Sequence, residues 1–384
     1  MFQWKHLKGI NSDMYKTISI GFIWMSFLTM TKAQEAFYKF SGLKESLKTE
    51  YHTSEGVLLN IGRDTLIHIF RLDSTKFHIS NRSVIVKRYS YNKGLSWSSP
   101  SLVYNSPYDD RNVTGIVIGK RIIVVFRRLD GTPGKFKGID IGRIYSDDMG
   151  KTWSKYLVLK FPGFLTAQPF GTIVRSSDGY YNLVLNRGGH IYICATKDGN
   201  KFILKSIITN RSFADETAIA YIGKKKMIAL IRDDNSLDSS YLFYRSSDNG
   251  YIWTYKGRTK MNNNQPNTNR TAPFLVWDSL NNSVIAISTQ RHMGHKTTNA
   301  TCDSFFWYSS RPKEAFDNKW KIDIAVLRPN PNTWPTYGYP TLTQLSNGKW
   351  VGIITERHKV VNLDKKLSMN LPEHAYFYQF YLYH

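Results

Sequence analysis

Cysteine is nearly absent from this chain: two residues in 384, Cys194 and Cys302. Two thiols make neither a disulfide framework nor a metal motif, which excludes a stapled mini-scaffold and a structural zinc domain. They read as buried thiols, although an oxidising compartment would let them pair. No cofactor or metal is expected, since no ligand cluster or cofactor motif stands out. Acidic residues are also scarce, 29 against 52 Lys and Arg, for a formal charge of +23. Such a surface favours anionic partners: nucleic acid, membrane surfaces or acidic glycans. The sequence carries no helix-turn-helix, zinc-finger or RNA-binding signature, which leaves acidic glycan as the expected partner and excludes nucleic acid.

A bilayer-spanning apolar run is missing too. The stretch Ile18 to Met30 covers 13 residues, follows Lys16 and precedes Thr31-Lys32-Ala33. That is too short to span a bilayer and fits the apolar region of a signal peptide. We expect cleavage after Ala33, with translation starting at Met1 or Met14. Residues 1–33 hold four Lys and one Asp, so the remaining chain carries +20. The expectation is a secreted, periplasmic or cell-surface monomer with no membrane span after cleavage, and one domain over 34–384.

What the sequence does contain is a repeat. A short apolar strand, a Gly or Asn turn and a second apolar strand ending in arginine recur six times. The closing arginines are Arg71, Arg127, Arg187, Arg232, Arg291 and Arg357, spaced 56, 60, 45, 59 and 66 residues apart. Each unit reads as a β-hairpin, and each interval holds two more strands. Six four-stranded units predict a six-bladed β-propeller, all-β. The strand-like ends, Ala36–Phe40 and Ala375–His384, are expected to meet and close the ring, removing an open edge. Clusters of Pro and Asn at 262–269 and 329–335 read as loops between blades.

A second repeat lies between the hairpins. Ser146-Asp-Asp-Met-Gly-Lys-Thr-Trp153 and Ser246-Ser-Asp-Asn-Gly-Tyr-Ile-Trp253 both match Ser-x-Asp-x-Gly-x-x-Trp. Ser90 to Trp97 matches with Asn92 for Asp, and Thr196 to Phe202 is a shortened form. These segments resemble the Asp-boxes (BNR repeats) of the sialidase/neuraminidase superfamily. Their Ser and Asp side chains are expected to bond turn amides, with Gly at positive φ and Trp packed between sheets.

Hairpin geometry places the start of each first strand and the end of each second strand at one edge, with the Asp-boxes at the other. That rim gathers the closing arginines with Glu55, Asp109-Asp110-Arg111, Gln168, Asp215-Glu216, Arg270 and Tyr337-Gly338-Tyr339. The resemblance implies roles at matching positions. Tyr339 resembles the sialidase nucleophile and Glu216 the glutamate that activates it. Arg71, Arg232 and Arg291 resemble the arginine triad, with Arg311 an alternative third member. Arg127, Arg187 and Arg357 are expected to be structural. Three guanidinium forks can clamp a sialic acid carboxylate. A neutral tyrosine avoids the repulsion an anionic nucleophile would meet there, which is why sialidases are the tyrosine exception among glycosidases. The loop after the first hairpin offers Asp73 and His78 as proton donor, and Asp110 is a third candidate. The leading expectation is a retaining exo-sialidase-type hydrolase. The alternatives are a non-catalytic glycan-binding propeller and a polysaccharide lyase using His78 and a tyrosine.

Overall fold

The computed structural model describes residues 38–75, 77–235, 240–259, 268–270, 272–292, 304–326, 333–360 and 372–384. The expected signal peptide, Cys302 and the loop expectations at 262–267 and 329–332 lie outside those residues. Tyr38–His384 form one compact unit.

Two short strands, β1 (Lys39–Phe40) and β2 (Lys44–Thr49), lead into six antiparallel sheets. The first is β3 (His52–Asn60), β4 (Leu66–Asp73), β5 (Ser83–Ser90) and β6 (Ser101–Tyr104). The second is β7 (Asp109–Ile118), β8 (Arg121–Asp130), β9 (Lys137–Ser146) and β10 (Leu157–Val158). The third is β11 (Gln168–Arg175), β12 (Tyr181–Arg187), β13 (His190–Thr196) and β14 (Ile203–Thr209). The fourth is β15 (Ala214–Tyr221), β16 (Met227–Asp233), β17 (Tyr241–Ser246) and β18 (Thr254–Thr259). The fifth holds β19 (Thr268–Arg270), β20 (Phe274–Asp278), β21 (Ser283–His292), β22 (Ser304–Ser310), the helical turn α1 (Pro312–Phe316) and β23 (Lys321–Val326). The sixth is β24 (Thr333–Gln344), β25 (Trp350–Val360) and β26 (Pro372–Tyr383).

The inner strands β3, β7, β11, β15, β20 and β24 each pack on the next, and β24 returns to β3, which closes a six-bladed β-propeller. Apolar side chains fill the seams between neighbouring blades: Val57, Ile67, Val124 and Ile144 join blades 1 and 2, and Leu230, Phe243, Leu275 and Ala286 join blades 4 and 5. The ring closes as expected, because β1 and β2 both pair β26. Arg88, fully buried in blade 1, fastens β2 by donating to the Ser46 carbonyl at 2.6 Å. Two loop readings need correction. Thr268–Arg270 pairs β21, and β24 begins at Thr333, with Pro335 opposite His358. The flanking ladder carries Pro335 through a strand that its lack of an N–H would otherwise disfavour.

The repeated turns join third to fourth strands. Ser146 Oγ accepts from Gly150 N at 2.7 Å and Asp148 from Thr152 N at 2.9 Å. Ser246 and Asp248 do the same for Gly250 N (2.9 Å) and Ile252 N (3.0 Å), and Ser90 for Gly94 N (2.8 Å). Gly94, Gly150 and Gly250 have φ of 90°, 85° and 85°, the left-handed region glycine tolerates. Trp97, Trp153 and Trp253 are half-buried against the sheets.

Candidate active site

The same irregularity recurs near the start of the inner strands. From Thr53 to Gly56 the chain advances three residues while its partner advances two, Leu72 to Phe70. The same slip occurs at Arg111–Thr114, Ala214–Thr217 and Gly338–Thr341, and a two-residue excess at Phe170–Val174. A bulge re-aims the side chains it contains. The bulges hold Ser54-Glu55, Asn112-Val113, Asp215-Glu216 and Tyr339-Pro340, so polar groups from four blades turn toward the axis. Two non-glycine residues here, Asn112 (φ 56°) and Tyr339 (φ 51°), take the left-handed backbone. Such conformations persist only where the surroundings enforce them. A cleft at the axis is lined by Glu55, Val113, Phe170, Gly171 and Tyr339, among others.

Two polar clusters meet around that cleft. In the first, Tyr339 Oη donates to Glu216 Oε1 at 2.8 Å, and Arg232 bonds the other Glu216 oxygen. Arg232 also reaches Asp215 at 2.6 Å and Asp234 at 2.7 Å. Burial works against the Arg232 charge, but Glu216 and Asp215 outweigh it and hold the guanidinium protonated. Burial, with Glu216 beside it, pushes the Asp215 carboxyl up.

The second cluster is built on buried arginines. Arg71 is fully buried and bonds Asp109 (2.8 Å), Asp73 (3.0 Å) and His52 Nδ1 (3.0 Å). His52 lies 3.4 Å from His78, whose Nε2 is 3.3 Å from Arg111 Nη2. Arg111 also contacts Asp109 (3.4 Å) and Glu55 (3.5 Å), yet its buried Nε has no hydrogen-bond partner among the described residues. Burial and the Arg111 charge push Arg127 down to about 9, and one of its nitrogens donates to Asn112 at 2.7 Å. Tyr339 interacts electrostatically with both Arg111 and Arg232, and Arg127 with Glu55 and Asp215, so the clusters share one centre.

The candidates are thus distributed unevenly. Tyr339, Glu216 and Arg232 are brought together. His78 joins Arg111, and Arg71 lies beneath with its donors engaged. Arg291 lies in β21 opposite Asn269, and its side chain is outside the described set. Asp110 faces away: its oxygens accept from Ser106 N (2.9 Å) and Oγ (2.7 Å), and burial pushes it up to about 7. The neighbouring Asp109, not Asp110, meets the arginines. Arg311 is corrected outright, since it donates to the Asn281 carbonyl at 2.8 Å, in the turn at the far end of β20 and β21. Arg187 donates to Gly163 O at 3.0 Å, away from the cleft. The sequence alone gives Arg127 a structural role, puts Asp109 on the rim without a role, and does not point to His52. His52 and Asp109 both lie just ahead of a bulge that only the strand register reveals, so the sequence carries no signal for them.

Fold and site together define a six-bladed β-propeller with a sialidase-like fold and an axial cluster of arginines, carboxylates and a tyrosine. No family model and no curated protein matches the sequence. Among solved structures, a protein of unknown function from Dyadobacter fermentans superposes with a TM-score of 0.66 at 14% identity, over 88% of this chain and 99% of that one. The NanB sialidase of Streptococcus pneumoniae gives 0.62 at 11% identity, over 89% of this chain and 70% of that one. Trypanosoma rangeli sialidase gives 0.60 at 16% identity, over 87% of this chain. This chain spans 55% of that longer trypanosomal protein.

Proposed function

We propose that this chain is a sialidase-type glycoside hydrolase that releases a terminal sialic acid or related anionic sugar with retention. The observation that carries the reading is the 2.8 Å hydrogen bond from Tyr339 to Glu216 at the mouth of the axial cleft. A phenol bonded to a carboxylate can give up its proton as it attacks, the pairing a covalent mechanism requires. Tyr339 attacks the anomeric carbon and forms a glycosyl-tyrosine, which water then cleaves. Arg232 fixes Glu216 from the far side. Of the three arginines the resemblance implies, Arg71 has its donors engaged by Asp73, Asp109 and His52. In our reading Arg71 braces the clamp, and Arg111 and Arg127 join Arg291 in taking the substrate carboxylate. His78 donates the proton to the leaving group, as the candidate in contact with the arginine cluster. The likeness to sialidase structures supports the fold on which this chemistry is placed. A binding-only propeller draws support from Arg232, whose donors are all turned to protein carboxylates.

A release assay on a fluorogenic sialoside and a panel of acidic polysaccharides separates the readings. Free sugar is expected. An unsaturated product would mean a lyase, and binding without any product would mean a lectin-like propeller.

A further inference from the structure

Every turn joining first to second strands, and every turn joining third to fourth, emerges on the face opposite the cleft. Within the repeated turns, Ser, Asp or Asn and Gly are committed to the turn's own hydrogen bonds. In the turns of blades 1 and 4, several of the other positions carry large exposed side chains, although Tyr91 stacks on Tyr89 and Tyr251 lies under Lys205. Tyr91 is 76% exposed, Leu95 64%, Ile252 71% and Tyr251 49%, and Leu280, in the β20–β21 turn, is 68% exposed. These wetted Tyr, Leu and Ile side chains stand on separate turns of one face, in blades 1, 4 and 5, and they acquire meaning only together with the charge that this face carries.

Other turns on that face carry exposed lysines. Lys120, Lys151, Lys224 and Lys225 are exposed and make no ion pair among the described residues. The nearby carboxylates are already engaged: Asp147 by Arg121 at 2.7 Å, Asp178 by Lys205 at 2.9 Å, and Asp148 and Asp248 by their own turns. The face is therefore basic with apolar tips.

We propose that this face docks on an anionic lipid surface, the apolar tips entering the interface and the lysines meeting phosphate headgroups. A soluble polyanion would use the lysines and leave Tyr91, Ile252 and Leu280 in water. A shaped protein partner would call for one contiguous patch, whereas these tips come from turns of blades 1, 4 and 5, an arrangement suited to a plane. Interfacial binding of this kind combines apolar insertion with attraction to anionic lipid. The attachment proposed here is peripheral, made by turns; among the described residues no helix is long and apolar enough to cross a membrane. Docked this way, the axial cleft faces away from the lipid, toward material arriving from solution.

Vesicle flotation of the full chain tests the idea, using phosphatidylglycerol/phosphatidylcholine vesicles beside phosphatidylcholine alone. Binding to the anionic vesicles only is expected. A triple variant, Tyr91→Ser, Ile252→Ser and Leu280→Ser, should reduce binding at least tenfold without lowering Tm. Lys224→Glu with Lys225→Glu should reduce it more than about fivefold per lysine, the weight of one charge near an anionic surface. A rim control, Phe213→Ser, should bind as the wild type. Absence of vesicle binding would overturn the proposal. So would binding that ignores the triple variant, or tight binding to soluble dextran sulfate with none to vesicles.

Discussion

Tyr339 and Glu216 stand 123 positions apart, yet the phenol donates directly to the carboxylate at 2.8 Å. Each occupies a bulge near the start of an inner strand, in blades 6 and 4, and the bulges turn both side chains to the axis. Removing the hydroxyl with Tyr339→Phe should lower kcat on an activated sialoside by roughly a thousandfold or more, and Glu216→Gln by a comparable factor. The double variant should be little worse than either single one, because one activated nucleophile is lost in each case. Losses that multiply in steady-state kinetics would separate the two residues functionally.

Arg232 and Arg127 are expected to fail in different ways. Arg232 holds Glu216, so Arg232→Lys should fall mainly on kcat. Among the described residues Arg127 makes one hydrogen bond, to Asn112, and it lies beside Arg111. Arg127→Ala should raise KM for a carboxylated substrate by about ten- to a hundredfold, the loss of a charged hydrogen bond, and leave its neutral methyl ester unaffected. Equal effects on acid and ester would remove Arg127 from the clamp.

Much of this could be read from the sequence. The six hairpins are visible because their strands are apolar or alternate, with arginine closing each one. The turns announce themselves through Ser, Asp and Gly at fixed offsets. The bulges do not. Ser54-Glu55 and Asp215-Glu216 contain no glycine or proline to mark an inserted residue, yet the insertion decides which neighbour faces the axis. Asp110 was therefore favoured over Asp109, although Asp109 is the one that meets Arg71. Arg311 was misplaced for another reason: it follows β22 and ends at the turn face, a position set by a strand end that composition does not fix.

Asp110 gives the chain a pH signature of its own. Burial pushes its carboxyl from 3.8 to about 7 in the folded protein. Above the unfolded value the unfolded chain sheds a proton that the folded chain keeps, so stability falls as pH rises between about 4 and 7. The full effect is about 4 kcal/mol, at about 1.4 kcal/mol per pH unit. In denaturant titrations, Asp110→Asn should gain on the wild type across that window and hold its advantage above it. A difference that does not vary with pH would show that Asp110 ionises freely in the fold.

Two of the repeated tryptophans, Trp153 and Trp253, differ in one atom's surroundings. Trp253 Nε1 donates to Gly250 O at 3.0 Å, whereas the buried Trp153 Nε1 has no partner among the described residues. Trp253→Phe should therefore cost about 1 kcal/mol more than Trp153→Phe, the net value of one hydrogen bond. Thermal melts of the two variants check this, and a larger loss at Trp153 would contradict it.

The most direct test of the proposed chemistry is covalent capture. Wild-type protein incubated with a 3-fluorosialyl fluoride should accumulate a glycosyl adduct, and peptide mass spectrometry should place it on Tyr339. Tyr339→Phe should give no adduct at any position. Hydrolysis of a sialoside by the wild type, with the label on another residue or with Tyr339→Phe retaining full turnover, would contradict the tyrosine mechanism.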